Sequence, residues 1–185
     1  MITPSIAIVV GILSWSLAEY VIHRWAGHGP SANSNLFGRE HTAHHSRGNY
    51  FAAWWKKMIT AVVVTAILLG PIIWLLGVRP GLFFIAGFVG FYSFYEVLHR
   101  LEHVWKGIGS YGRWARKHHF YHHFHDPKKN FGVTSPLWDH IFGTYHHPET
   151  IAVPEKLKMA WLCDPSSGDI WPQLNKHYKL RRRRT

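Results

Sequence analysis

The stretch that decides the fold is residues 81–103, GLFFIAGFVGFYSFYEVLHRLEH. Its apolar part, Gly81–Leu98, contains a single formally charged side chain, Glu96. A helix that rises 1.5 Å per residue needs about 20 such residues to cross the roughly 30 Å hydrocarbon layer of a bilayer. The stretch ends in His99 and His103, which share one helix face because they are four residues apart. The sequence therefore predicts a membrane-spanning helix that carries two histidines at its end.

Two further stretches are as apolar as this one, namely Ile2–Ile22 and Met58–Val78. The segment Gly77–Gly81 is rich in helix breakers and predicts a tight hairpin between the second and third spans. A secretory signal peptide is the rival interpretation of residues 2–22, but the basic start and the small-residue cleavage pattern are missing. The sequence predicts an all-α integral membrane protein, a single domain over residues 1–185 with about three transmembrane helices at 2–22, 58–78 and 81–98.

The basic side chains are distributed unevenly along the chain, whose formal net charge is +11. Five Lys or Arg fall within residues 23–57 and fifteen follow His99, whereas only Arg79 lies between the second and third spans. Lys and Arg collect on the cytoplasmic side of membrane proteins, and anionic lipid head groups account for this pattern better than nucleic acid does. The single cysteine, Cys163, excludes an internal disulfide and fits a reducing compartment. We therefore expect a cytoplasmic, histidine-rich helical cap and no nucleic-acid partner.

Ten of the sixteen histidines form four boxes with the spacings H-x4-H, H-x2-H-H, H-x3-H and H-x2-H-H. On a helix, positions i, i+3 and i+4 lie on one face, so each H-x2-H-H box can point three imidazoles in one direction. The members of the first box are five apart, about 140° round an ideal helix, and converge only if the helix unwinds near Gly27–Pro30. Neutral imidazole binds iron, zinc and copper, and ten ligands are too many for one ion. We predict two metal ions held by His23, His28, His41, His44, His45, His99, His103, His119, His122 and His123.

At this point the boxes resemble those of a known superfamily. HRWAGH at 23–28, HTAHH at 41–45, HRLEH at 99–103 and HFYHH at 119–123 look like the boxes of the fatty acid hydroxylase/sterol desaturase superfamily, and are closest to fatty acid 2-hydroxylase catalytic domains. The segment NFGVTSPLWDHIFGTY at 130–145 is similar to the superfamily's segment after the last box. The resemblance implies a helical membrane protein with a cytoplasmic dimetal site that uses dioxygen. It nominates the ten histidines as ligands of two iron ions, with zinc possible in purified protein.

Three residues near the boxes are candidates for a supporting role. Asp139 and Glu102 can accept hydrogen bonds from imidazole N–H groups, which metal-bound histidines need for their orientation. His140 stands where the superfamily more often has a basic residue, so it is either an extra ligand or a simple substitute. After Pro148 the periodicity fades, and we expect residues 146–185 to be a peripheral tail.

Three functions are compatible with these observations. The favoured one is a dioxygen-dependent diiron hydroxylase of a lipid acyl chain, supplied with electrons by an external carrier such as a cytochrome b5 or a ferredoxin. The second is a carotenoid or sterol hydroxylase or desaturase, since carotenoid hydroxylases also open with a His-Arg-Trp-x-x-His box. The third is a non-catalytic metal-binding or transport protein. Transport predicts ionisable ligands at the membrane midplane, whereas these histidines lie on one side.

Overall fold

The chain is mostly helical, and its computed structural model describes residues 2–182. Met1 and residues 183–185, which include both ends of the predicted domain and the last two arginines of the run 181–184, lie outside the described residues. Three helices are long and apolar enough to cross a membrane, namely Pro4–Gly27, Trp54–Leu76 and Val78–Val104. The prediction of three helices long and apolar enough to span a membrane is therefore confirmed.

Six α-helices and two short strands make up the regular structure of the described residues. They are α1 (Pro4–Val21), α2 (Leu36–Arg47), α3 (Trp54–Leu76), α4 (Val78–Val104), α5 (Gly109–Phe124), α6 (Leu137–Ile141), β1 (Ile151–Pro154) and β2 (Tyr178–Arg181). A π-helix, Ile22–Gly27, follows α1 directly, and short 3-10 turns lie at Ala32–Ser34, Glu155–Leu157 and Pro172–Leu174. The first and third spans extend beyond their predicted ends because an apolar run marks the hydrocarbon crossing and not the last hydrogen bond of the helix.

One compact unit contains the residues up to Glu19 and Ala52–Val97. Within it α1 and α4 approach closely at a glycine, since a Cβ on Gly11 would lie 2.1 Å from the carbonyl oxygen of Phe84. Small residues let membrane helices pack backbone to backbone, which is the main source of their association where lipid is as apolar as the side chains. No residue of α3 is fully buried: Val64, Leu68 and Ile72 pack against the core of this unit, whereas Val62 and Ile67 are exposed, as on the lipid-facing side of a membrane helix.

The second compact unit contains Tyr20–Phe51 and the residues from Leu98 onward, and it holds every histidine of the four boxes. Its apolar core forms where α5 packs against the C-terminal segment. Buried core residues are Phe120, Phe124, Ile151, Val153, Met159, Leu162, Cys163 and Tyr178.

Residues 146–182 differ from the peripheral tail that the sequence suggested. Strands β1 and β2 pair in parallel, with Ile151 opposite Tyr178, and Ile151 is completely buried. The strands are four residues long and lie far apart in the chain, so they leave no periodic signal to detect. The fold is therefore mostly helical with one two-stranded sheet, and not all-α as the sequence predicted.

Candidate metal centre

The ten histidines of the boxes lie in two groups of five. Within each group, every residue offers a ring nitrogen that lies within 4.8 Å of those of the other four. The first cluster consists of His23, His28, His41, His45 and His122, and the second cluster of His44, His99, His103, His119 and His123. The structure thus brings all ten together, in two sets that each suit one ion.

Each H-x2-H-H box is shared between the clusters, which corrects the expectation that its three imidazoles point in one direction. On α2, His41 and His45 belong to the first cluster and His44 to the second. On α5 the division is opposite: His119 and His123 belong to the second cluster and His122 to the first. At 100° per residue, position i+4 lies about 40° to one side of position i and position i+3 about 60° to the other. A helix that lies between two centres therefore supplies two ligands to one and a single ligand to the other.

The π-helix solves the spacing problem of the first box. Its i to i+5 hydrogen bonding places residues five apart roughly one turn from each other, which an α-helix cannot do. The rings of His23 and His28 consequently stand 5.4 Å apart, centroid to centroid. Gly27 makes room for the cluster, since a Cβ there would lie 3.0 Å from the His41 ring. The sequence predicted that the α-helix must end or unwind here, and the structure shows that it changes to a π-helix.

The nitrogen spacing in the first cluster fits ligands of one metal ion. Neighbouring Nε2 atoms are separated by 3.1 Å (His23 to His41), 2.8 Å (His41 to His28), 2.9 Å (His28 to His122) and 3.2 Å (His122 to His45). With metal–nitrogen bonds of about 2.1 Å, ligands at right angles stand about 3.0 Å apart and tetrahedral ligands about 3.4 Å. These four separations are of the size expected between ligands of one ion.

Hydrogen bonds among the imidazoles cannot replace such an ion. A ring nitrogen carries either one proton or one lone pair, yet Nε2 of His41 faces the nitrogens of both His23 and His28. Protonation is disfavoured as well, because burial lowers the pKa of His28 to about 4 and that of His41 well below its usual value. A cation between the lone pairs satisfies all of these nitrogens at once, so the donor set fits a divalent transition-metal ion.

A loop after α5 fixes the orientation of two ligands of the first cluster. The carbonyl oxygen of Phe131 lies 2.5 Å from Nδ1 of His23, and that of Lys129 lies 2.8 Å from Nδ1 of His122. A carbonyl can only accept, so each Nδ1 donates and the lone pair of each Nε2 faces the cluster. Between the two carbonyls, Asn130 adopts a φ of 56°, a left-handed conformation that Asn tolerates. This loop is the Asn-Phe-Gly part of the segment singled out in the sequence.

Asp139 holds this loop in place. Its carboxylate accepts from the backbone N–H groups of Phe131 and Gly132 at 2.8 and 2.9 Å, from the Thr144 hydroxyl at 2.7 Å, and lies 3.1 Å from Nε2 of His118. Burial alone raises the pKa of Asp139, but the bonds from His118, Thr144 and Gly132 together hold it below its ordinary value. Asp139 therefore supports His23 indirectly. Its carboxylate binds the N–H of Phe131, and the carbonyl of Phe131 binds Nδ1 of His23.

All five histidines of the second cluster lie on α-helices. Nε2 of His99 lies 2.9 Å from that of His44, and Nε2 of His103 lies 3.1 Å from that of His119. Both ring nitrogens of His123 are buried without a hydrogen-bond partner among the described residues, a costly state that a bound cation relieves. The ring of His123 also stacks on that of His45 in the first cluster, with centroids 3.9 Å apart. The clusters are direct neighbours, as a dimetal site requires.

Side chains from two other elements hold the end of α4, which carries two ligands of the second cluster. Arg116 donates to the carbonyls of Glu102 at 2.7 Å and Leu101 at 3.2 Å. Its guanidinium lies 4.0 Å from the ring centre of Trp161, whose indole N–H donates to the carbonyl of His103 at 2.8 Å. The last carbonyls of a helix have no partner within it, so these donors replace water there. The C-terminal segment thereby helps to enclose the second cluster.

The three candidate supporting residues have different places. Asp139 is completely buried and acts through the loop, as described above. Glu102 is completely buried between two ligands of α4, and its carboxylate interacts electrostatically with Arg116. His140 belongs to neither cluster; its side chain is exposed and stacks on Tyr145 at 3.9 Å. Successive residues of a helix point about 100° apart, so an inward Asp139 turns His140 away from the ligands.

Sequence reasoning missed the backbone groups that orient the ligands. These are the carbonyls of Phe131 and Lys129 and, for the second cluster, that of Tyr50, which lies 2.6 Å from Nδ1 of His44. Every residue has a backbone carbonyl, so the residue types do not indicate which carbonyl binds a histidine. The Asn-Phe-Gly segment and the nearby carboxylate of Asp139 were the available indications of this loop.

The chain is similar to several known proteins. A family model described as fatty acid hydroxylase matches residues 8–144. The dihydroceramide fatty acyl 2-hydroxylase FAH2 of Arabidopsis thaliana is 30% identical over 149 residues, which are 76% of this chain and 62% of that protein. The ceramide very long chain fatty acid hydroxylase SCS7 of Saccharomyces cerevisiae is 31% identical over 146 residues, 76% of this chain and 38% of that protein.

A solved structure described as full-length scs7p, with only the hydroxylase domain visible, superposes with a TM-score of 0.65 at 26% identity. The match covers 80% of this chain and 58% of that one. The chain thus spans between 38% and 62% of the length of these relatives.

Proposed function

This chain belongs to the fatty acid hydroxylase family, and we propose on that premise that it is an integral-membrane enzyme that hydroxylates a lipid acyl chain with dioxygen. The observation that carries the proposal is the pair of neighbouring five-histidine clusters built from shared boxes. We propose that each cluster holds one iron ion, with zinc able to compete in purified protein. When bound, two iron ions would supply the activation of dioxygen that no side chain here can perform.

The protein's own residues bind and orient the ions and keep water away from them. Seven of the ten histidines are buried, and His28, His45 and His123 are partly buried. The carbonyls of Phe131 and Lys129 keep the Nδ1 protons of His23 and His122 directed outward, so that the lone pairs stay inward.

We propose that the oxidised carbon lies near the carboxyl or amide end of the acyl chain. His23 lies in the last turns of the first span, and His99 and His103 lie in the last turns of the third. An acyl head held at that level brings its first carbons nearest the metals. Carbons farther along would have to leave the hydrocarbon layer, at about 0.8 kcal/mol per CH2 exposed. The Arabidopsis thaliana relative, named dihydroceramide fatty acyl 2-hydroxylase, supports this position.

We further propose that the clusters face the cytoplasm, where an external carrier such as a cytochrome b5 or a ferredoxin delivers electrons, and that residues 1–185 act as one hydroxylase domain. The Lys and Arg asymmetry supports this orientation.

Cys163 is only 6% exposed, which makes it a poor probe of topology. A Lys176→Cys variant in a Cys163→Ser background places the thiol on an exposed residue instead. A membrane-impermeant thiol reagent should label it only after the membrane is opened; labelling in intact cells would reverse the orientation.

The test of the reaction is mass spectrometry of lipids after incubation of the iron-loaded protein with isotopically labelled dioxygen and a reducing partner. One labelled oxygen on an acyl chain, on a carbon near its carboxyl or amide group, is the expected result. Label found only on carotenoid or sterol rings would instead assign the protein to the second function considered above. Absence of label from every lipid would favour a non-catalytic metal-binding role.

A further inference from the structure

The short helix α6 has two contrasting sides. Asp139 is completely buried, whereas Leu137 and Ile141, four residues apart on one helix face, are 41% and 59% exposed. Phe142 follows directly and is 44% exposed. We call Leu137, Ile141 and Phe142 the α6 face. Three large apolar side chains in six consecutive residues form a patch of the kind that marks an interaction surface.

The segment that carries the α6 face has few charges of its own. Between Asn130 and Pro148 the only formally charged side chain is Asp139, in a chain with 21 Lys and Arg. Asp139 is buried and does not meet solvent. Two cations stand beside this segment, since Lys129 donates to the Gly143 carbonyl at 3.2 Å and Arg24 to the Tyr20 hydroxyl at 2.8 Å. Lipid head groups attract Lys and Arg, so apolar side chains flanked by these cations fit the membrane interface.

Contacts place the α6 face beside the first membrane-spanning helix. The ring of Phe142 stacks on that of Tyr20 with centroids 5.2 Å apart, and the Thr144 and Tyr20 hydroxyl oxygens are 2.9 Å apart. Tyr20 lies within the apolar span Pro4–Gly27. Trp25, on the same span and 6.4 Å from Tyr20, is 49% exposed. Tryptophan is typical of the membrane–water interface, so Trp25 indicates the level at which the α6 face lies.

We propose that the α6 face contacts lipid at the membrane interface, next to the end of the first span. Lipid is the occupant because the face continues an apolar, lipid-exposed helix and carries no charge for a water-soluble partner to recognise. The opposite side of the same helix bears Asp139, which fixes Phe131 and, through its carbonyl, His23. A five-residue helix thus joins a lipid contact to the support of a metal ligand. The inference concerns membrane contact alone and does not depend on the proposed reaction.

Site-directed spin labelling of the full chain in phospholipid nanodiscs tests this proposal. In a Cys163→Ser background, a nitroxide is attached at Ile141→Cys, and its collisions with dissolved oxygen and with a neutral nickel chelate are compared. Oxygen concentrates in lipid and the chelate in water. Val62→Cys, 63% exposed on α3, is the lipid control, and Lys176→Cys in the C-terminal segment is the aqueous control. Leu137→Cys repeats the measurement on the same face if labelling at 141 disturbs folding.

The expected result is that the label at Ile141 is more accessible to oxygen than to the chelate, as at Val62 and opposite to Lys176. A label that the chelate reaches as readily as at Lys176 would show that the face is in water and overturn the proposal. A label shielded from both reagents would also overturn it, because a protein surface, from a partner or a second copy, would then cover the face. Each outcome is independent of whether the protein hydroxylates a lipid.

Discussion

The two histidine clusters draw on the same boxes but are supported differently. In the first cluster, a π-helix and the loop around Asn130 aim two ligands, and the loop depends on the buried carboxylate of Asp139. In the second cluster all five ligands stand on α-helices, and donors on Arg116 and Trp161 hold the end of α4. One centre thus relies on irregular backbone and the other on helix packing. Changes to either support should therefore affect one centre more than the other.

The largest effect should follow from removing a ligand of either cluster. His122→Ala takes an imidazole from the first cluster and His119→Ala takes one from the second, although both residues lie on α5. Each variant should lose more than about 100-fold in hydroxylase activity, beyond the 10–100-fold loss typical of changes to residues behind the ligands. Labelled-dioxygen turnover measures this, with the exposed His147→Ala as control. Near-normal turnover in either ligand variant would mean that one centre suffices.

Asp139→Asn should weaken the first cluster selectively. Whichever oxygen becomes the amide nitrogen would face one backbone N–H of the loop, that of Phe131 or that of Gly132, so the loop would lose one of its two bonds to this side chain. The affinity for one ion should fall about 10–100-fold while that for the other changes little. Stepwise competition with a chelator resolves the two ions, and Asp126→Asn is the control. An equal loss from both sites would remove the distinction between loop and helix support.

Arg116→Lys should lower stability and loosen the second cluster in preference to the first. A lysine ammonium cannot reach several carbonyls in the planar, forked manner of a guanidinium. Losing about two charge-assisted bonds at the end of α4 should reduce the unfolding free energy by about 3 kcal/mol. Arg113→Lys, exposed on the same helix, should change it by less than about 0.5 kcal/mol. Similar denaturation midpoints for the two variants would contradict a clamp at this helix end.

A further effect concerns the pH dependence of the stability of the metal-free protein. Burial lowers the pKa of His28 to about 4, whereas it is about 6.5 in the unfolded chain. Between these values the unfolded state binds more protons, so stability should rise with pH from about 4 to 6.5 and level off above. The thermal midpoint of the metal-free protein should therefore be lower at pH 5 than at pH 7. A midpoint that is unchanged or higher at pH 5 would indicate that the rings are solvated and not packed together.

The sequence predicted the three spans and the ten histidines that come together, because apolar length and helical spacing are local properties. It also predicted that the helix must change near Gly27 for His23 and His28 to meet. It did not predict how the H-x2-H-H boxes are divided, since that depends on a helix lying between two centres. The supporting carbonyl of Phe131 and the parallel pairing of Ile151 with Tyr178 were also beyond it, because both depend on tertiary contacts and not on residue type.

Metal content tests the central claim of two neighbouring centres most directly. Elemental analysis of purified, unchelated protein should give two ions per chain for the unchanged sequence. His28→Ala with His122→Ala should remove the first ion and keep the second, whereas His103→Ala with His119→Ala should do the reverse, leaving one ion in each case. Zinc in place of iron would not alter these numbers, since zinc competes well for imidazole ligands. One ion or fewer in the unchanged protein, or loss of both ions when either pair is removed, would contradict the account.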